Sequence, residues 1–230
     1  MRIILLYIFV ASCFFLSAHD KAPELPRFAF RGNIAIPNSV SSSKFRHSFS
    51  GITAVDASLT IRLFDKFYTG VGVSHVYFKN QDYFRNALGI NRQLSTSFQT
   101  FGGYIKLGRD HFVTDRVFLT TAVNCGYALG KYQGVFYQAD SLVGKYPTQF
   151  TNVYIEPVLG IMFLVEDNFG FGLQVSYNYN FEVFDSNYPN FEYRGFQKTE
   201  IKPSYKNLPN KWGIGTLNIG VGFYYGIKRN

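Results

Sequence analysis

The chain has little cysteine, little histidine and little charge. Two Cys and four His among 230 residues cannot supply the spaced ligand set of a zinc or iron–sulfur protein, and no metal or other cofactor is expected. Cys13 falls in an N-terminal apolar segment, which leaves Cys125 alone and excludes a disulfide scaffold. Charged residues are only 17% and hydrophobic ones 47%, the reverse of a disordered chain's balance. Past the N-terminal segment the longest strongly apolar run, Val158 to Val165, falls far short of the ~20 residues that a membrane helix needs. If the protein is integral to a membrane, it must be a barrel. No phosphate-binding glycine loop appears, because the glycines alternate along extended segments and no helix follows them.

What is abundant points to strands. Aromatics reach 19%, with 25 Phe and 17 Tyr, and there are 21 Gly. That mixture favours pleated sheet over helix. The N-terminus carries an address: Met1-Arg2, an apolar stretch from Ile3 to Leu16, then Ser17-Ala18 before polar residues. Residues 1–18 read as a secretory signal peptide cleaved after Ala18. Val10-Ala11-Ser12-Cys13 also resembles a lipobox that would acylate Cys13, although the apolar run continues through Phe14-Phe15-Leu16.

From residue 28 onward a period of two recurs eight times. It predicts strands near 28–36, 52–64, 68–78, 97–107, 117–130, 152–165, 168–184 and 214–227. In the last, Leu217, Ile219, Val221, Phe223, Tyr225 and Ile227 share one face, against Asn218, Gly220, Gly222 and Tyr224 on the other. Pro157 interrupts the sixth, where a bulge is expected. Connections alternate: 37–51, 79–96, 131–151 and 185–213 are long and polar, whereas 65–67, 108–115 and 166–167 are short. This is the rhythm of an all-β, eight-stranded, antiparallel up-and-down transmembrane β-barrel with short periplasmic turns and long outer loops. Residues 19–27 would be a periplasmic tail and 28–230 the barrel domain.

Alternation alone also fits a soluble lipocalin-like carrier, whose apolar face would point inward. The face chemistry favours lipid. One face is continuous Phe, Tyr, Leu, Ile and Val; the other is small, with Gly70, Gly72, Ser74, Gly170 and Gly172, where a soluble surface would carry many Lys and Glu. Arg31, Arg62 and Lys106 on the small face would neutralise Asp56, Glu156 and Glu182. Phe67, Tyr68, Phe223, Tyr224 and Tyr225 fall where a periplasmic aromatic girdle would lie, and Tyr77 and Phe78 toward the outer one.

On these residues the chain resembles the small eight-stranded outer-membrane β-barrel proteins of Gram-negative bacteria. Its last strand is similar to their assembly signal at Asn218, Gly220, Phe223 and Tyr225, but runs on through Gly226-Ile227-Lys228-Arg229-Asn230. The resemblance implies insertion into the bacterial outer membrane by the assembly machinery. It implies no activity, since such barrels serve as tethers, adhesins, narrow pores and enzymes.

Three functional classes stay open. The first is a non-enzymatic barrel with a structural or surface-binding role, contacting lipopolysaccharide or other envelope proteins, alone or as part of an envelope or secretion complex; nucleic acid is not an expected partner. The net charge of +8 suits phosphates, and the longest loop offers Tyr188, Phe191, Tyr193, Arg194, Phe196 and Lys198 as contacts. The second is a hydrolase like the lipid A deacylases, for which His75 and Ser97 have matching parity on neighbouring strands but no acidic third member. The third is the soluble carrier. An open pore is disfavoured, because eight strands leave a lumen that side chains fill.

Overall fold

The computed structural model describes residues 25–40, 45–46, 49–64, 66–80, 93–138, 141–181 and 213–227. Eight strands follow one another: β1 (Phe28–Ser39), β2 (Phe49–Phe64), β3 (Phe67–Asn80), β4 (Gln93–Thr114), β5 (Val117–Gln138), β6 (Ser141–Glu166), β7 (Phe169–Asn180) and β8 (Ile214–Ile227). Each pairs antiparallel with the next, and β8 pairs with β1 to close the barrel. Both ends of the described chain lie at the end with the short turns (the turn end). The opposite, loop end carries the connections after β1, β3, β5 and β7.

The register fixes the shape. Stepping across the wall runs Phe30, Leu59, Val71, Ile105, Cys125, Ile155, Tyr179, Gly215, and returns to β1 at Val40, ten residues above the start. An offset of that size, at about 3.3 Å per residue and about 4.8 Å between strands, tilts the strands by roughly 40°.

The two strand faces meet different surroundings. β7 alternates between exposed Phe169, Phe171, Leu173 and Val175 and inward Gly170, Gly172, Gln174 and Ser176. The same holds around the wall: Ile34, Leu59, Val71, Ile105, Leu129 and Val153 all point outward and are about half exposed or more. On β6 the outward apolar row runs from Phe163 to Val153, which at this tilt spans about 25 Å of height, the thickness of the apolar band of a membrane barrel. Water would not tolerate an apolar surface that encircles the molecule; lipid would. The middle of the lumen is lined by buried polar and charged side chains, Arg31, Asn33, Lys106, Asn124, Glu156 and Ser176 among them, so the soluble carrier with a greasy lumen is overturned.

Several expected boundaries shift. β4, β5 and β6 outrun their expected lengths. Residues 131–151 are mostly not a loop but a continuing ladder, closed by Gln138 opposite Ser141. Residues 108–115 are mostly strand as well, with Asp115 and Arg116 alone forming the turn. Gly108, Arg109 and Asp110 look like turn residues in isolation, yet the inward parity of Lys106 continues through Asp110 and Phe112. At Pro157 there is no bulge. The β6–β7 register is the same at Ile155–Tyr179 and Val158–Ser176, and only the two pairings between them are missing, so a short gap in the ladder accommodates the absent N–H. The register shifts that do occur include Arg62/Phe64, Phe112/Thr114 and Leu164/Glu166, each at the last residues before a short turn. Bulges at a barrel rim add the local twist that a tight reversal needs.

The girdle assignment is partly corrected. Tyr68, Tyr224 and Phe78 point into the lumen and are buried, whereas Phe223 and Tyr225 face outward as expected. The inward tyrosines are matched to glycines on neighbouring strands. A side chain at Gly72 would run into the ring of Tyr104, one at Gly108 into Tyr68, and one at Gly126 into Tyr154. Glycine on the small face thus makes room for a ring laid flat across the wall.

Candidate functional site

The lumen is layered along its axis. At the turn end Leu25, Ala29, Phe112, Phe118, Met162, Leu164 and Tyr224 pack into an apolar plug. Above it lies Arg31. Its Nη1 and Nη2 donate to the two Asp110 carboxylate oxygens at 3.0 and 2.6 Å, with further bonds to Thr120 and Thr60. The guanidinium lies 3.9 Å from the ring centroid of Tyr68, and Arg62 approaches the same carboxylate at 3.6 Å. A fork-on-fork pair stacked on an aromatic face is a strong way to hold a buried guanidinium.

Next come two carboxylates. Asp56 accepts from the Tyr104 hydroxyl at 3.1 Å and sits 3.9 Å from the ammonium of Lys106. Glu156 accepts from Ser176 at 2.6 Å and from Asn124 and Asn218 at 3.1 Å each. Asn152, Asn180 and Asn178 then form a short amide chain. At the loop end Phe45, in helical conformation between β1 and β2, is fully buried against Phe49, Phe78 and Phe98, with Tyr132 and Ile214 completing a second plug.

Among the described residues the lumen is therefore filled. The cavity left between Arg31, Asp56 and Lys106 is about 10 Å³, room for about one water. Among the described residues three lumen cations face three carboxylates: Arg31, Arg62 and Lys106 against Asp56, Asp110 and Glu156. Five of these are the residues expected from sequence. Glu182 lies outside the described residues. Asp110, the main partner of Arg31, was missed because its segment reads as a turn; the unbroken parity from Lys106 is the signal that finds it.

A cleft of about 400 Å³ opens at the loop end across β3 to β6. His75, Phe101, Leu129 and Thr151 form one cross-strand row, and Gln99, Lys131 and Gln149 form the next row toward the loops. His75 and Ser97 do not meet. His75 pairs with Phe101 and Ser97 with Lys79, so the two sit four residues apart along the strand direction, about 13 Å. A nucleophile and its base need hydrogen-bond reach.

The assembly-signal residues all lie on β8: Asn218 in the lumen bonded to Glu156 and Ser176, Gly220 beside β1, Phe223 and Tyr225 outside. The expected loop contacts Tyr188, Phe191, Tyr193, Arg194, Phe196 and Lys198 lie outside the described residues, as does the signal segment. Among the described residues no group of His, Cys, Asp and Glu is placed to hold a metal ion.

No family model matches the sequence, and no curated protein does. Solved structures do resemble the chain. Neisserial surface protein A aligns at a TM-score of 0.48 and 14% identity, over 89% of this chain and 99% of that one. The attachment invasion locus protein Ail of Yersinia pestis, in complex with the heparin analogue sucrose octasulfate, aligns at 0.46 and 11%, over 88% and 100%. The outer membrane protein OprG of Pseudomonas aeruginosa aligns at 0.45 and 9%, over 90% and 99%. The chain is similar to these proteins over nearly its whole length, at low identity.

Proposed function

We propose that the chain is a non-enzymatic outer-membrane barrel whose work is done on its exterior, as a structural or surface-binding protein of the Gram-negative envelope. The observation that carries this reading is the pair of opposite faces: a lumen plugged at both ends and charge-balanced between them, inside a wall whose outer surface is apolar over a membrane's thickness. A filled lumen leaves little to conduct or to carry, so partners would meet the loops and the rim. The cationic and aromatic residues of 185–213 suit lipopolysaccharide or another envelope protein, after removal of the signal peptide and insertion by the assembly machinery. The Ser–His hydrolase reading loses its support with the register between His75 and Ser97.

Fractionation of expressing cells, followed by electrophoresis with and without boiling, tests the reading. The expected result is a heat-modifiable band in the outer-membrane fraction. In the same preparation Cys125, exposed on the outer wall, should resist water-soluble maleimide until the barrel is unfolded. A soluble, non-shifting protein with a freely reactive Cys125 would overturn it.

A further inference from the structure

We propose that the cleft across β3 to β6 is a binding site for one molecule of lipopolysaccharide, taken by its phosphorylated, acylated lipid A end. This deepens the outer-membrane reading and rests on it. Three features of the cleft carry the inference. First is its level. Because the strands tilt by roughly 40°, each step from β3 toward β6 climbs the wall, which brings Gln99, Lys131 and Thr151 to a common height just above the apolar band. That is where the headgroups of the outer leaflet would begin. Second is its floor. Phe101 and Leu129, each 59% exposed, continue the lipid-facing surface directly beneath these polar residues, so an acyl chain could lie on them without leaving the bilayer.

Third is its charge. Lys131 supplies a cation at the rim, and among the described residues no Asp or Glu lines the cleft. Among the described residues Lys131 has no acidic partner. An ammonium left free at headgroup height suits a phosphate. Gln99, Gln149 and Thr151 around it offer amide and hydroxyl groups to sugar hydroxyls, which a simple phospholipid headgroup would use less fully. A volume of about 400 Å³ holds a headgroup sugar with its phosphate, while the acyl chains run down the wall outside.

Native mass spectrometry of the full barrel released from detergent, titrated with bisphosphorylated lipid A or with phosphatidylglycerol, tests this. The expected result is one retained lipid A, with phosphatidylglycerol at least tenfold weaker. Lys131→Glu should weaken lipid A on the order of tenfold to a hundredfold, as loss of a charge-assisted contact predicts. Thr151→Trp, which fills the cleft without changing charge, should weaken it too, and Lys66→Glu at the turn end should not. Each variant must keep the heat-modifiable band. Equal lipid A binding by Lys131→Glu and the parent, or equal binding of the two lipids by the parent, would overturn the site while leaving the outer-membrane reading intact. Loss of the heat-modifiable band in the parent would strike the outer-membrane reading itself.

Discussion

Asn124 and Cys125 are neighbours on β5 and live in different solvents. Asn124 is buried and donates to Glu156; Cys125 is exposed on the outer wall. The same division runs around the barrel, and the rules on its two sides are opposite. Inside, every charge needs a partner, and small residues are placed where a ring must cross the wall. Outside, side chains touch lipid, pack little against one another, and are constrained by polarity more than by shape. It follows that a substitution should be judged first by parity and only then by residue type.

The sharpest way to break this comparison is to remove a lumen charge. Asp110→Ala leaves Arg31 buried with its two strongest acceptors gone and deprives Arg62 of its ion pair. Breaking a buried pair from one side costs about 3–5 kcal/mol. The expected outcome is a large fall in the urea midpoint for unfolding from phospholipid vesicles, with loss of the heat-modifiable band at moderate temperature. The double variant Arg31→Met with Asp110→Leu, which removes both charges, should recover most of that loss. If Asp110→Ala unfolds like the parent, the lumen is wet enough to solvate Arg31, and its filled character is wrong.

The outer face is tested by depth. Ile105, 60% exposed and near the middle of the apolar band, should tolerate Arg poorly, at a cost of about 2–4 kcal/mol. Val153, 56% exposed near the loop-end margin, should tolerate the same change at about 0–1 kcal/mol. Equal costs at the two positions would mean that the band does not lie where the outward apolar rows place it. Measured by the same vesicle titration, this pair also tells a lipid-facing surface from a protein-covered one, because a covered site would show no dependence on depth.

Much of this was legible in the sequence, for a physical reason. A strand between water or polar side chains on one side and lipid on the other must alternate without error, so the period of two gave the faces of β7 and β8 directly, and the same parity along β1, β2, β4 and β6 gave five of the six described lumen charges. What failed was the reading of ends. Outside the membrane band no second solvent enforces alternation, so the β5–β6 hairpin beyond Thr148 reads as a polar loop although its backbone pairs on to Gln138 and Ser141. Asp110 was lost in the same way, near a turn and among residues of turn-like type. Pro157 misled differently: its missing N–H was expected to need an extra residue, and the ladder simply skips a bond pair instead. The cleft could not be read at all, because it depends on the tilt, which is a property of the closed register and not of any one strand.

The smallest expected effect compares two glycines a strand apart. Gly72 points inward beneath Tyr104, and a methyl group there would meet that ring and the backbone oxygen of Ala57. Gly103 points outward, and the nearest atom to a methyl group there is the backbone oxygen of Gly72, at 3.9 Å. Gly72→Ala should therefore cost about 1–3 kcal/mol through overpacking, since neither the ring nor the backbone can retreat without disturbing the Asp56 bond. Gly103→Ala meets nothing and relieves the conformational freedom of the unfolded chain, so it should be neutral or stabilising by less than about 1 kcal/mol. Both residues lie in regular strand, in adjacent cross-strand rows of β3 and β4, so backbone conformation cancels in the difference. Unfolding midpoints that fall equally for the two would show that strand propensity governs glycine here. A midpoint that falls for Gly72→Ala and holds for Gly103→Ala assigns the cost to the tyrosine across the wall.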